Sequence, residues 1–287
     1  MMMYLRALTI LLLIFAAGLS PVPAQTGGPV AATTAETRTF SNPYFAGESL
    51  VFEGKFKKLG LSFSIAEMQF TVSERPDSGT FYILSEARSK GTLTRLFNFK
   101  FYQKIESTIN ARTLQIVKSV KRDEQRDRIR ESQADFDYGM NRVTWVETNP
   151  NEPTKPPKRV ASTITPETQD LVSGVFVLRG KTLAAGKKYV FRITDSGLVY
   201  EVPVKITGRE KQKTLFGKVW CWKVEPEIFG DGRIIEQKGS LTIWITADDK
   251  RVPVRAKLKT ELGRVDIRLI RYVSATPLKG NTSAGPS

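Results

Sequence analysis

The stretch Leu61-Ser62-Phe63-Ser64-Ile65-Ala66-Glu67-Met68-Gln69-Phe70-Thr71-Val72 decides the fold class. Leu61, Phe63 and Ile65 alternate with Ser62 and Ser64, and Ala66, Met68, Phe70 and Val72 then continue the alternation one residue out of phase. Period two marks a strand with one buried face. A phase slip inside such a strand is what a β-bulge produces, because one extra residue re-aims every later side chain.

The same period recurs on both sides, in Ser49–Phe56, Phe81–Arg88, Phe99–Ile109, Lys188–Ile193, Val202–Thr207, Lys218–Val224, Gly239–Ile245, Val252–Lys259 and Arg264–Tyr272. Turn residues separate many of them: Pro76-Asp77-Ser78-Gly79, Asp195-Ser196-Gly197, Gly230-Asp231-Gly232 and Asp248-Asp249. Many short strands with polar punctuation predict a mainly β protein, an antiparallel and strongly curved sheet or barrel-like fold. One helix is expected over about 165–179. Thr165 suits its N-cap, Pro166 the first helical position, Glu167 the positive end, and Gly180 the stop. Leu171, Val175 and Leu178 recur at helical spacing beside Val172 and Phe176, so its broad apolar face should pack on the concave side of the sheet.

The ends of the 287-residue chain read differently from its middle. Arg6, the apolar run Ala7 to Leu19 and the small residues of Val22-Pro23-Ala24 match a secretory signal peptide over residues 1–24, removed before Gln25. The run is short for a bilayer span, which needs about 18 apolar residues, and no later stretch approaches that length, so no transmembrane segment is expected. Residues 25–42 read as a flexible lead-in and 274–287 as a disordered tail, both rich in small and polar residues. Between them, 43–273 reads as a single β-rich domain, with a weak break at 149–160 around Asn149-Pro150-Asn151-Glu152-Pro153. The expected location is outside the cytoplasm, periplasmic or extracellular.

Composition excludes several chemistries. The chain holds no histidine and one cysteine. That leaves no His-based hydrolase triad, no histidine metal site, no internal disulfide and no Cys-only zinc site. No nucleotide loop, zinc spacing or calcium loop is present, so no metal and no cofactor is expected. Cys221, between Trp220 and Trp222, reads as a buried small hydrophobe. The formal charge is +15, or +14 without Arg6. In an exported protein that excess points to lipid headgroups, acidic glycans and cell-wall polymers as partners rather than to nucleic acid.

Two basic stretches stand out. Lys118 to Glu131 mixes Lys118, Lys121, Arg122, Arg126, Arg128 and Arg130 with four acids and reads as a solvated face. Near the C-terminus, a hairpin turning at Glu261-Leu262 would place Leu258 beside Val265 and Ala256 beside Ile267 on one face. The other face would carry Arg255, Lys257, Lys259, Arg264 and Arg268, with Asp266 beside Lys257 as the one available acid. Like charges then oppose each other at Lys259 and Arg264 and at Arg255 and Arg268, which costs some tenths of a kcal/mol unless an anion sits there. The carboxylate pairs Asp135 with Asp137 and Asp248 with Asp249 could flank a glycosidic bond, but each lies at a strand end or turn, so no catalytic residue is assigned.

Four segments carry a family resemblance: Phe45-Ala46-Gly47-Glu48-Ser49-Leu50-Val51-Phe52, Asp135-Phe136-Asp137-Tyr138, Gln169-Asp170-Leu171-Val172-Ser173 with Arg179, and a closing stretch with Trp244, Asp249, Arg251, Pro253-Val254, Leu262-Gly263, Leu269 and Tyr272. Together they resemble the bacterial domain of unknown function 3108, which implies an exported protein with no established activity. More distantly, a curved sheet closing on a Trp…Pro…Gly pattern is similar to the periplasmic lipoprotein carriers, which hold acyl chains between sheet and helix. This chain departs from their mature forms in its length and its Pro-rich stretch.

The expected function is therefore a non-catalytic binding or carrier protein for an amphiphilic or anionic envelope component: a lipid, lipopolysaccharide or glycan. Phe63, Met68, Phe70, Trp220, Trp222 and Trp244 are the candidate ligand-lining residues, and the basic hairpin face is the candidate contact with an anionic surface. A carboxylate-dependent hydrolase of cell-wall or capsule glycan is the alternative, and a scaffold for envelope proteins a third class. Oligomeric state is not readable from the sequence.

Overall fold

The computed structural model describes residues 42–58, 60–91, 95, 100–261 and 263–275. The expected signal peptide, nearly all of the lead-in and most of the tail lie outside the described residues. Fifteen strands run in chain order: β1 (Ser49–Lys58), β2 (Leu61–Arg75), β3 (Thr80–Ser89), β4 (Phe101–Asn110), β5 (Ile116–Gln125), β6 (Arg128–Asp137), β7 (Arg142–Thr148), β8 (Lys158–Thr163), β9 (Gln169–Asp170), β10 (Lys188–Asp195), β11 (Leu198–Thr214), β12 (Gly217–Pro226), β13 (Gly239–Thr246), β14 (Pro253–Thr260) and β15 (Gly263–Val273). Helix α1 (Leu171–Arg179) follows β9 directly.

All fifteen belong to one sheet, in the order β8-β7-β6-β5-β4-β3-β2-β1-β15-β14-β13-β12-β11-β10-β9. Every pair is antiparallel except the short β9–β10 contact, and the first and last strands pair with each other, Ser49 opposite Val273. The sheet does not close. Its two edges meet where the β10–β11 turn touches β7 and β8: Ser162 Oγ donates to Gly197 O (2.7 Å). At Gly197, φ is +81°, and a Cβ would lie 2.8 Å from side chains of both Trp145 and Val160, so only glycine fits this approach.

The bulge falls at the phase slip. Gly54 pairs with Ala66 and Lys55 with Ser64, leaving Ile65 as the extra residue. It lets Ile65, Ala66, Met68 and Val72 all reach the main apolar cluster, which also gathers Leu50, Phe52, Ile83, Leu258, Val265, Ile267 and Phe176. A second cluster joins β10 to β13 around Ile193, Ile206, Val224 and Ile245. A third, under β5 to β7, holds six buried residues, among them Ile116, Val143 and Trp145. The Pro-rich stretch is the β7–β8 connection, with Glu147 pairing Lys158 across it.

The helix starts later than Thr165. Thr168 N donates to Thr165 O (3.0 Å), making a turn, and Gln169 and Asp170 then pair with Ile193 and Thr194 of β10. The true N-cap is Asp170: its Oδ1 accepts from Ser173 N (2.7 Å), while Asp170 N donates to Ser173 Oγ (3.1 Å). This reciprocal cap satisfies two donors that Thr165 could not reach once residues 169–170 were held in the sheet. Gly180 ends the helix, as expected.

Candidate functional site

The basic hairpin has the expected register: Arg255 opposite Arg268, Lys257 opposite Asp266, Lys259 opposite Arg264, with Leu258 opposite Val265 and Ala256 opposite Ile267 on the core side. Asp266, 3 % exposed, is the hub of the outer face. Arg255 donates to both its oxygens (2.8 and 3.1 Å), Arg268 NH2 donates to Oδ2 (3.1 Å), and Lys57 of β1 lies 3.6 Å away. Burial alone would push this carboxyl up, but Arg255 and then Arg268 hold it below the ordinary range. Lys257, directly opposite, does not take the carboxylate. A planar guanidinium fits both oxygens at once, which a lysine cannot do. Lys257 instead sits 5.3 Å from the Trp244 ring centre, and Arg255 stacks on the same ring at 5.0 Å. Partial burial, then repulsion from Arg255 and Arg264, holds the Lys257 ammonium below its usual range. Lys259 and Arg264 are exposed and have no ion-pair partner among the described residues.

Four of the six candidate lining residues gather at the main apolar cluster, and the other two lie elsewhere. Met68 and Trp244 are buried in the main cluster, Phe63 and Phe70 pack against it, and Trp222 packs against the second cluster. Phe70 meets Phe176 of the helix edge-on at 6.3 Å. Trp220 stands apart at 46 % exposure, with Arg209 and Lys211 each 5.3 Å from its ring centre. Cys221 is fully buried, and that burial, with Asp248 and Glu210 adding, pushes its thiol up to about 11.

A cavity of ≈ 40 Å³ lies at the seam, lined in part by Ser119, Lys121, Ser132, Trp145, Asp170 and Asp195. At about 10–15 Å³ per water it holds about three waters, too little for an acyl chain or a sugar ring. Asp170 Oδ2 accepts from Ser107 and Ser119, and Oδ1 serves the helix cap, so its acceptor positions are occupied. Burial raises the carboxyl of Asp195 despite the opposing charge of Lys121, and does the same to Asp123 against Lys121 and Arg128. The segment Lys118 to Glu131 is therefore not wholly a solvated face. Asp123 is buried, and Lys121 lines the seam cavity on the same side of β5. The signal was present as Ser119, Lys121 and Asp123 at every second residue, masked by charges on both faces.

Sequence reasoning also missed a buried ion pair. Arg179, the last residue of α1, donates to both oxygens of Glu48 (2.6 and 2.9 Å), and the two side chains are 2 % and 0 % exposed. Arg179 also donates to the carbonyls of Lys250 and Arg251, and Tyr272 OH donates to Glu48 (3.1 Å). Arg251 returns the contact, donating to Arg179 O (2.8 Å). Glu48, Arg179, Arg251 and Tyr272 are all residues of the family resemblance, and they form one clasp between the start of β1, the end of β15, the helix and the β13–β14 turn. The candidate carboxylate pairs have local duties: Asp137 Oδ1 accepts from Met140 N (2.9 Å), and Asp248 Oδ1 from Thr246 Oγ1 (2.6 Å). Among the described residues no group of three Asp, Glu or Cys could hold a metal ion, and no helix is long and apolar enough to cross a membrane.

A long meander joined through its first and last strands, open at one seam, defines a β-barrel-like class. The chain is similar to the β-barrel-like protein of domain of unknown function DUF1849 from Brucella abortus, with TM-score 0.54 and 12 % identity, covering 80 % of this chain and 98 % of that one. A family model described as "Protein of unknown function (DUF3108)" matches residues 51–270, and the chain belongs to that family. A protein described as exported, with a YmcC-like fold, from Bacteroides fragilis is similar at 10 % identity and TM-score 0.35, covering 82 % of this chain and 99 % of that one. No curated protein matches the chain.

Proposed function

We propose that this is an exported, non-catalytic binding protein whose β14–β15 face holds an anionic envelope component, a lipid headgroup or acidic polymer. The observation that carries the reading is the charge imbalance around Asp266. One carboxylate serves Arg255, Arg268 and Lys57, while Lys257, Lys259 and Arg264 add positive charge that no second carboxylate of the two strands neutralises. An anion would relieve that repulsion. The carboxylates engaged in caps and turns support a role without acid–base chemistry. A carrier role needs a lodging for the ligand. Its support is that α1 meets β3 and β4 as well as β9 and β10, strands far apart in the sheet order, which is what a helix held in the hollow of a curved sheet would do. The ≈ 40 Å³ seam would have to part before an amphiphile entered.

The test is retention on lipopolysaccharide and on dextran sulfate at low ionic strength. Lys257, Lys259 and Arg264 should be reversed to Glu together, because Arg255 and Arg268 also hold Asp266 and the fold. At about 1 kcal/mol per basic residue near an anionic surface, affinity should fall at least about a hundredfold, and salt should weaken the wild type. A wild type that binds neither anion, or a triple variant that binds equally well, would reduce this face to solvated surface.

A further inference from the structure

The outer ends of β11 and β12 form a hairpin whose tip breaks the usual turn chemistry. Its corner residues are Leu215 and Phe216, closed by Gly217 at φ 84° and by Phe216 N donating to Thr214 Oγ1 (3.0 Å). Hairpin corners favour Gly, Asn, Asp and Ser. Here two large apolar side chains stand 43 % and 40 % exposed, and Trp220 on the return strand is 46 % exposed.

The charges around the tip are sorted by face. Arg209 pairs with Trp222, Lys211 with Trp220 and Lys213 with Lys218, so alternation sets these six side chains on one side of the hairpin. Glu210, the sole acid between Gly208 and Val224, lies on the other side, where it accepts from Trp244 Nε1. Gln212 shares that side and accepts from Arg255 NH1 (3.0 Å). The first side thus carries cations and indole rings and no carboxylate, with Trp222 packed toward the second cluster and Trp220 exposed nearer the tip. The hairpin as a whole touches β14 and β15 at two points: the Gln212–Arg255 bond, on the Glu210 side, and Phe216, whose ring lies 5.4 Å from that of Tyr272.

We propose that this hairpin is a membrane-docking element: Leu215, Phe216 and Trp220 enter the interface of an anionic lipid bilayer, with Arg209, Lys211, Lys213 and Lys218 at the level of the headgroups. The inference rests on the anionic-envelope reading and narrows it to a lipid surface. A soluble polyanion would engage the cations but gives Leu215 and Phe216 nothing to bury against. A bilayer takes both, since apolar residues seat in the acyl boundary, indoles settle at the interface, and lysine and arginine stems reach back to phosphate.

The experiment compares co-sedimentation with vesicles of equal parts phosphatidylglycerol and phosphatidylcholine against retention on dextran sulfate. Leu215→Ser/Phe216→Ser changes two exposed corner residues and no charge, and it removes only the Phe216–Tyr272 ring contact, so thermal melting should fall only slightly. Vesicle binding by this variant should fall about tenfold or more, with dextran sulfate retention unchanged. Brominated lipid should quench the wild-type tryptophan emission, and Trp220→Phe should remove most of that quenching. If the double serine variant sediments within about twofold of the wild type, insertion is overturned while the basic face stands. Retention of the wild type on dextran sulfate but not by vesicles would likewise overturn insertion alone. Binding to neither probe overturns both readings.

Discussion

The two halves of the sheet share one hydrogen-bonded ladder and differ in what it encloses. From β10 through β15 to β3, the inward positions are mostly apolar and build the two larger clusters, with Val72, Ile83, Val224, Ile245 and Leu258 fully buried. From β5 to β7, the side that lines the seam carries Ser119, Lys121, Asp123, Ser132 and Glu147, above a cluster of six buried residues. Backbone pairing continues unbroken across both halves. The difference teaches that strand pairing can extend a sheet well past the apolar core that stabilises it. The polar half should therefore open at lower cost than the rest.

Five substitutions would break or sharpen that contrast. The largest effect is expected at the clasp: Glu48→Ala leaves the Arg179 guanidinium buried without its partner, which costs about 3–5 kcal/mol. Urea denaturation should show it as a large drop in midpoint. Next comes the paired comparison of Leu258→Ala with Ser132→Ala. The first empties a fully buried site in the apolar half and should cost about 2–5 kcal/mol, while the second should stay within about 0.5 kcal/mol. Equal losses in calorimetry would erase the distinction between the halves.

The smaller pair depends on pH. Asp266, whose carboxyl is held low, contributes stability above the ordinary carboxylate pKa and loses it as pH falls through its lowered folded value. Asp266→Asn should cost about 2 kcal/mol near pH 7, on the scale of bonds to charged groups, and flatten the acid limb of the stability curve. Asp123 and Asp195 work in the opposite direction. Burial raises both, so the folded protein takes up protons before the unfolded chain does, and stability rises as pH falls from their folded values to the ordinary one. Asp123→Asn should thus give a modest gain at neutral pH that shrinks in mild acid. Unfolding at pH 7 and pH 4 measures both changes, and a loss at neutral pH would contradict the assignment for Asp123.

The same contrast explains how much was legible. Strands of the apolar half announce themselves by alternation, and residues 61–72 located even the bulge at Ile65. The β14–β15 register followed residue by residue, because Val265, Ile267 and Leu258 admit one burial pattern. Strands β5 to β8 are hard to separate from the sequence, since charged and polar residues on both of their faces mask the period of two. The helix start was misplaced because Thr165-Pro166-Glu167 is a good local signal that the β9–β10 pairing overrides. Of the basic face, the residues were legible but not their partners. Which cation takes Asp266 depends on diagonal reach and on Lys57 of β1, a sheet neighbour far away in sequence. The Glu48–Arg179 pair joins residues with no sequence proximity, and nothing in their local patterns couples them.

The pairing of β1 with β15 has a consequence for the order of the chain itself. Ser49 and Val273 lie side by side, while β8 and β9, neighbours in sequence, share no ladder. Cut the chain at the turn spanning Thr165 to Thr168, splice the old ends with a short linker, and the strands from β9 through β15 and on from β1 to β8 follow one another as an uninterrupted meander. The native gene order is a rotation of that simpler ribbon. Its rotated form would need no long-range strand joint, and with lower contact order it should fold faster than the natural chain.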